Sequence, residues 1–208
     1  MTTTSSYDAG YSPEAKEALR VLLAGNQRFV AGKPQYPRDI HAARAAASEQ
    51  HPMAAVFTCV DSRVTAESLF DCDFGQLIVV RTAGHVPDQA ATASLGFAVA
   101  ELDVPLIVVL GHERCGAIQL AVDSQRQDAG ADAANCLMSR LRPMAALGLA
   151  QSSTDPYHAT MLRQIDDTVG RLRTDATLVG CEIIGARYDL DHGTVQVVEE
   201  PTRVVVAG

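Results

Sequence analysis

The sequence of 208 residues lacks a cationic surplus: 17 Lys and Arg stand against 25 Asp and Glu, a formal charge of −8. Nucleic acid and anionic membrane both need a basic face, so neither is expected as the main partner. It also lacks long apolar runs. Leu106-Ile107-Val108-Val109-Leu110 is among the longest, far short of the roughly 20 residues that span a bilayer. The polar stretch Met1 to Gly10 has no cationic start followed by an apolar run, so no secretory leader is expected and the chain reads as cytoplasmic. Full disulfide pairing is excluded, because the five cysteines, at positions 59, 72, 115, 136 and 181, are odd in number and thinly spread. In a reducing compartment such a set points to metal or catalytic chemistry. There is no internal repeat and no linker. Hydrophobic residues at 47% and charged residues at 20% are ordinary for a packed core, and the length fits one domain over 1–208.

Ser12-Pro13-Glu14 reads as a helix start, with a cap, a proline in the first turn and an acid at the positive dipole end. Leu19, Leu22, Leu23 and Phe29 recur at helical spacing until Gly32 and Pro34 close the segment. Residues 1–34 are thus expected to form a tail and a helical arm. A second helix is expected over His41–Gln50, broken by His51-Pro52. Short continuous apolar runs follow at Met53–Phe57, Leu77–Val80 and Leu106–Leu110, with a helix over Ala90–Leu102 between the last two. That alternation predicts an α/β fold: a central, mostly parallel sheet flanked by helices, with the chemistry in 51–120. Asp123–Thr154 is expected to form a surface helix pair. Leu178–Ala186 and Thr194–Val198 flank the turn Tyr188–Gly193, which predicts a hairpin and one antiparallel edge strand within 178–200.

Two cysteines fall at the carboxyl ends of predicted strands, Cys59 in Cys59-Val60-Asp61-Ser62-Arg63 and Cys115 in Gly111-His112-Glu113-Arg114-Cys115-Gly116. Ligands of open parallel sheets bind beyond those ends, so both clusters point to one crevice. Cys59, His112 and Cys115 make a soft set suited to Zn²⁺, and three protein ligands leave the open fourth position of a catalytic site. Two thiolates cancel the ion's charge, so Asp61 and Arg63 are needed to assist. A lone buried cysteine can instead be plain packing, and Gly84-His85 or Gly111-His112 can be turn histidines held by the backbone.

Cys59-x-Asp61-x-Arg63 followed by His112-x-x-Cys115-Gly116 resembles the paired signature of β-class carbonic anhydrases. The resemblance runs on through Val79–His85 and Pro105–His112, covers about Gln27 to Leu120, and extends more loosely over Val179–Gly193. It implies reversible hydration of CO₂ to bicarbonate and a proton by zinc-bound hydroxide, with one Zn²⁺ per chain on Cys59, His112 and Cys115. Asp61 would accept a hydrogen bond from the water, and Arg63 would hold Asp61 with a two-pronged salt bridge. The family also implies a closed inactive state at lower pH, in which Asp61 takes the fourth zinc position. Members with a bicarbonate-bound inactive form carry tryptophan three positions before the first cysteine. Val56 stands there, so although Arg81 and Tyr188 match, the resemblance predicts only the pH switch.

Gln50 matches a glutamine that donates to substrate oxygen in plant-type relatives, or is a surface residue at a helix end. Ile78 and Ala83 match an apolar CO₂ pocket that Phe97 would reach from a partner subunit. Gly116 would let the backbone approach the metal, or would pack the helix. His85 and Asp88 are both open as proton shuttle, and Cys72, Cys136 and Cys181 are assigned to packing or surface. A homodimer or tetramer is implied, with Ala15–Val30 lying across the neighbouring subunit; the alternative is that it packs on its own sheet. Two other functions stand beside CO₂ hydration. One is hydrolysis of CS₂ or COS on the same site; the other is a non-catalytic, zinc-scaffolded binding protein with four ligands and no Asp–Arg pair.

Overall fold

Ser12 starts the first helix as expected: its Oγ accepts the Ala15 N–H at 3.1 Å, and α1 runs Pro13–Val30. In the computed structural model, which describes residues 10–127 and 136–198, this helix folds back on its own chain. Its stripe of Ala15, Ala18, Leu19 and Leu22 is buried against Val56, Val108, Leu110 and Ile184 of the chain's own sheet. Of the two placements expected, packing on its own sheet is the one seen within the chain. Close approach fixes it there, since a Cβ at Gly25 would overlap the Phe70 carbonyl. Asn26 adds donors to the carbonyls of Leu69 (3.0 Å) and Gly193 (2.9 Å) and accepts the Val195 N–H at 2.8 Å.

The short helices α2 (Ile40–Ala45) and α3 (Ala66–Leu69) flank β1 (Ala54–Cys59). Then come β2 (Leu77–Thr82), α4 (Gln89–Leu102), β3 (Leu106–His112), α5 (Gly116–Arg126), α6 (Cys136–Gln151), α7 (Pro156–Arg173), β4 (Glu182–Tyr188) and β5 (Val195–Val197). The strands order as β2-β1-β3-β4-β5, parallel except for β5, which runs antiparallel to β4. The chain steps from β1 outward to β2 and then returns to the other side of β1 with β3. Strand order thus reverses between β1 and β3, the place where open α/β sheets form a ligand crevice.

Several expected bounds shift. The second helix stops at Ala45 instead of Gln50. The strand expected from Leu178 begins at Glu182, because Ala176–Leu178 forms a 3₁₀ turn and Gly180 has φ +88°. The helix pair expected over Asp123–Thr154 is α5 and α6, although α5 starts seven residues earlier, and 128–135 of that range lie outside the described residues. So do 1–9 of the tail and 199–200 of the expected C-terminal strand region.

α7 was not expected at all. Asp155 caps it by accepting the His158 N–H at 3.0 Å, and Pro156 fills the first turn. It packs Met161, Ile165, Val169 and Leu172 beside α4 on the sheet face opposite α1, against Phe57, Ile107, Val109 and Ile183. Ile165 sits on bare backbone, since a Cβ at Gly111 or Gly185 would fall 2.6 Å from its side chain. α5 and α6 pack with Cys59 and Cys115 through Ile118 and Leu141, beyond the strand ends. Among the described residues no helix is long and apolar enough to cross a membrane.

Asp71 ties the α1 end of the molecule together. Its buried carboxylate accepts from Arg28 Nε at 2.6 Å, the Gln35 N–H at 2.8 Å and Arg38 Nη1 at 3.3 Å. Burial alone would push this carboxyl up, but the bonds from Arg28 and Gln35 outweigh it and hold it below its ordinary value. Its contribution is therefore fully present above the usual carboxylate range and is lost as pH falls through the depressed folded value. Asp71→Asn is expected to cost stability near the lower end of the roughly 3–5 kcal/mol for breaking a buried pair, since both arginines are partly exposed. Thermal unfolding checks it: the gap between wild type and variant should narrow on acidification, and a gap constant with pH would refute the assignment.

Candidate active site

β1 delivers Cys59 at its last residue and β3 delivers His112 at its last, and the turn after β3 brings Cys115 to the start of α5. All three side chains are buried, with Cys59 and Cys115 at 3% and His112 at 1% exposure. Their ligand atoms lie within 4.8 Å of one another. The sulfurs are 3.8 Å apart, which matches the separation of about 3.8 Å for two thiolates on one tetrahedral zinc at ~2.3 Å each. His112 Nδ1 is 2.8 Å from the Glu113 carbonyl, which can only accept, so the ring proton sits on Nδ1. Among the described residues, nothing partners the buried lone pair on Nε2. A buried orphan acceptor beside two thiols is costly unless an ion takes all three, so the donor set fits a zinc ion.

The thiols divide in character. Hydrogen bonding with Cys115, and the Gly84 N–H 3.3 Å from its sulfur, draw Cys59 toward the thiolate despite burial. The same sulfur contact, with burial, holds the proton on Cys115. An ion that neutralises both sulfurs removes that opposition. By contrast, burial pushes Cys72 and Cys181 up to about 12, and Cys136 is exposed, so none of the three joins the centre.

Asp61 stands at the mouth. It accepts from Arg63 Nε (2.9 Å), Arg63 Nη2 (2.7 Å) and the Arg63 N–H (3.0 Å), which hold its carboxyl well below the usual carboxylate range. Its Oδ2 lies 3.9 Å from His112 Nε2, so the carboxylate borders the ligand set without joining it. Arg63 Nη2 also donates to the Arg114 carbonyl at 3.1 Å. Arg81 holds the first ligand's loop, donating to the carbonyls of Cys59 (2.9 Å) and Asp61 (2.6 Å). Cys59, His112 and Cys115 could thus hold one ion from three sides, with the Asp61 carboxylate, steadied by Arg63, at the remaining side.

A family model described as carbonic anhydrase matches residues 54–195. The chain belongs to the β-class carbonic anhydrases. It is 38% identical to carbonic anhydrase 2 of Mycobacterium tuberculosis over 187 residues, 85% of this chain and 89% of that one. It is also 38% identical to the carbonic anhydrase of Mycolicibacterium smegmatis over 190 residues, 86% of this chain and 91% of the other. The fold is shared with the Coccomyxa β-carbonic anhydrase solved with acetazolamide, at TM-score 0.69 and 22% identity over 88% and 86% of the two chains. Tetrameric β-carbonic anhydrases of Sordaria macrospora also share it, at TM-score 0.66 and 20% identity over 88% and 98%.

Not every residue singled out from the sequence reaches this carbonic anhydrase centre within one chain. Ala83 does, adjoining Gly84 at the Cys59 sulfur. Ile78 and the 57%-exposed Phe97 instead line an open hollow with Val80 and Arg81 along β2 and α4. Gln50 is exposed and precedes β1, so the whole six-residue strand, about 20 Å, separates it from Cys59. A Cβ at Gly116 would meet nothing within 4 Å, so tight packing does not demand glycine there. The shuttle reading fails for His85. His85 is 1% exposed, and burial pushes its pKa down to about 4, so it cannot trade protons with solvent. Asp88 caps α4 by accepting the Ala91 N–H at 2.7 Å. Residues missed from the sequence are Gln164 and Thr168, which α7 sets against the Gly84-His85 turn.

Proposed function

We propose that this chain hydrates CO₂ reversibly to bicarbonate and a proton, with one Zn²⁺ held by Cys59, His112 and Cys115. The observation that carries the reading is the buried, unpartnered Nε2 of His112, set among two thiols with Asp61 at the open side. Zinc bound there would act as a Lewis acid that makes water nucleophilic near neutral pH. Asp61 accepts a hydrogen bond from the attacking water and so aims one lone pair at the CO₂ carbon. Arg63 keeps Asp61 ionised and oriented. Ala83 offers apolar surface to a substrate without charge. Under acid, Asp61 would leave Arg63 and turn toward the Cys59, His112 and Cys115 set to shut the centre, a short movement because its Oδ2 already lies 3.9 Å from His112 Nε2.

We also infer a homodimer or tetramer built on the β2 edge. Among the described residues β2 ends the sheet and its outer backbone groups have no strand partner, and Phe97 projects beside it. The tetrameric Sordaria relatives support this reading. Gln50, Ile78 and Phe97 then serve a pocket completed across that interface.

Stopped-flow CO₂ hydration at about pH 8.5, well above the roughly neutral pKa of water on zinc, tests the reading together with metal content and sedimentation. Hydration by protein carrying one zinc per chain and sedimenting above the monomer mass is expected. Full zinc occupancy without hydration would overturn it, and CS₂ hydrolysis in its place would move the assignment to that substrate.

A further inference from the structure

The turn that touches the Cys59 sulfur is held in an unfavourable backbone conformation. Gly84 has φ +59° and His85 has φ +43°, two consecutive residues in the left-handed region. A residue with a side chain is uncommon there and persists only where its surroundings over-determine it. Those surroundings come from α7. Gln164 Nε2 donates to the Gly84 carbonyl at 3.3 Å and to Thr168 Oγ1 at 3.2 Å, and Thr168 Oγ1 donates to the His85 carbonyl at 3.3 Å.

The directions are fixed by chemistry. Both carbonyls can only accept, so the Thr168 proton goes to His85 and its oxygen must receive from Gln164. Gln164 and Thr168 are fully buried, so water does not compete for these bonds. Between them, Ile165 seats on Gly111, one residue before the ligand His112. A single stretch of helix therefore registers both the strand bearing His112 and the turn whose Gly84 N–H lies 3.3 Å from Cys59 Sγ.

An apolar face would have packed this interface at lower cost, since buried amides and hydroxyls are expensive unless fully paired. Pairing here is incomplete: Gln164 Oε1 and both ring nitrogens of His85 have no partner. The polar cluster is placed where it steadies the Gly84 N–H, and that is its use.

We propose that Gln164 and Thr168 are positioning residues of the metal centre, holding the Gly84 N–H on the Cys59 sulfur through the carbonyls of Gly84 and His85. A donor fixed on a thiolate stabilises its anionic form and tunes how it binds an ion. The inference rests on the reading of Cys59 as a zinc ligand.

The test uses full-length Gln164→Met, Thr168→Val, Thr168→Ser and Leu172→Ala beside wild type, each stripped with chelator and then titrated with Zn²⁺ or Co²⁺. The readouts are zinc affinity by chelator competition and the energy of the thiolate-to-cobalt absorption band. Gln164→Met should weaken zinc binding by about tenfold to a hundredfold, the range for outer-shell partners. Thr168→Val should move in the same direction by less, and both should shift the cobalt band. Thr168→Ser keeps the hydroxyl and should match wild type. Leu172→Ala loosens the same helix one turn further on, so it should lower the unfolding temperature without changing either metal readout. Wild-type affinity and cobalt band in Gln164→Met and Thr168→Val would overturn the proposal, as would an equal loss of affinity in Leu172→Ala. Should Gln164→Met fail to fold, the Thr168 pair decides alone, and equal affinities overturn it. A wild-type chain that binds no ion overturns the ligand reading itself, a result distinguished by wild type and variants failing alike.

Discussion

Cys59→Ala is expected to abolish zinc binding and CO₂ hydration together. Two donors remain in that variant, His112 and Cys115, and two are too few to retain an ion against a chelator. The loss should exceed the roughly hundredfold that outer-shell changes produce, leaving only the uncatalysed reaction. Thermal stability supplies a second readout. A ligand that binds only the folded chain adds about 4.1 kcal/mol at a thousandfold excess over its Kd. For a chain of this length each kcal/mol moves the midpoint by roughly 2–4 °C, so zinc should raise the wild-type midpoint by about 8–16 °C. The variant should show no such rise. A Cys59→Ala protein that still holds one zinc per chain and melts higher with it would refute the ligand assignment.

Asp61→Asn should separate binding from turnover. Asp61 stands outside the ligand trio, so metal content should stay at one per chain. Three donors from Arg63 converge on this carboxylate; an amide presents only one acceptor oxygen to them and turns an NH₂ group toward one. Hydration is expected to fall by about 10²–10⁴, the range for a positioned proton-handling group. The pH profile gives a sharper sign. Arg63 holds Asp61 below the usual carboxylate range, so acid does not silence wild type by protonating it. Acid instead depletes the hydroxide that competes with this still-ionised carboxylate for the ion, and activity should collapse reversibly on the acid side. The amide is a poorer ligand, so the variant's residual activity should lack that reversible limb. Wild-type activity flat to about one pH unit below the roughly neutral pKa of zinc-activated water would remove the switch, and loss of zinc in the variant would mean its role was misassigned.

The ligand trio and parallel sheet were readable because each leaves a local mark. Continuous apolar runs give buried strands, and a thiol or imidazole at a strand's last residue can face only the crevice. α7 leaves no such mark. Its buried face carries Thr160, Gln164 and Thr168 among Met161, Ile165, Val169 and Leu172, which breaks the apolar stripe. The residues that hide the helix from pattern reading are those that grip the Gly84-His85 turn. His85 stayed open for a related reason: a Gly-His pair after a strand does not reveal its burial until α7, distant in sequence, covers it. Gln50 was placed by likeness to a motif, and motif position carries no information about which subunit its side chain serves. The placement of α1 stayed open because the same Ala and Leu stripe suits any apolar surface, and the nearest within the chain is its own sheet.

The order in which the chain is synthesised gives the α7 clamp a further meaning. Cys59, His112 and Cys115 are all synthesised before the first residue of α7, and β4 follows later still. A nascent chain thus displays two thiols and an imidazole with nothing holding the Gly84-His85 turn in place. An ion captured at that stage would meet an adaptable chelate, and its final surroundings would be set only when Ile165 comes down on Gly111.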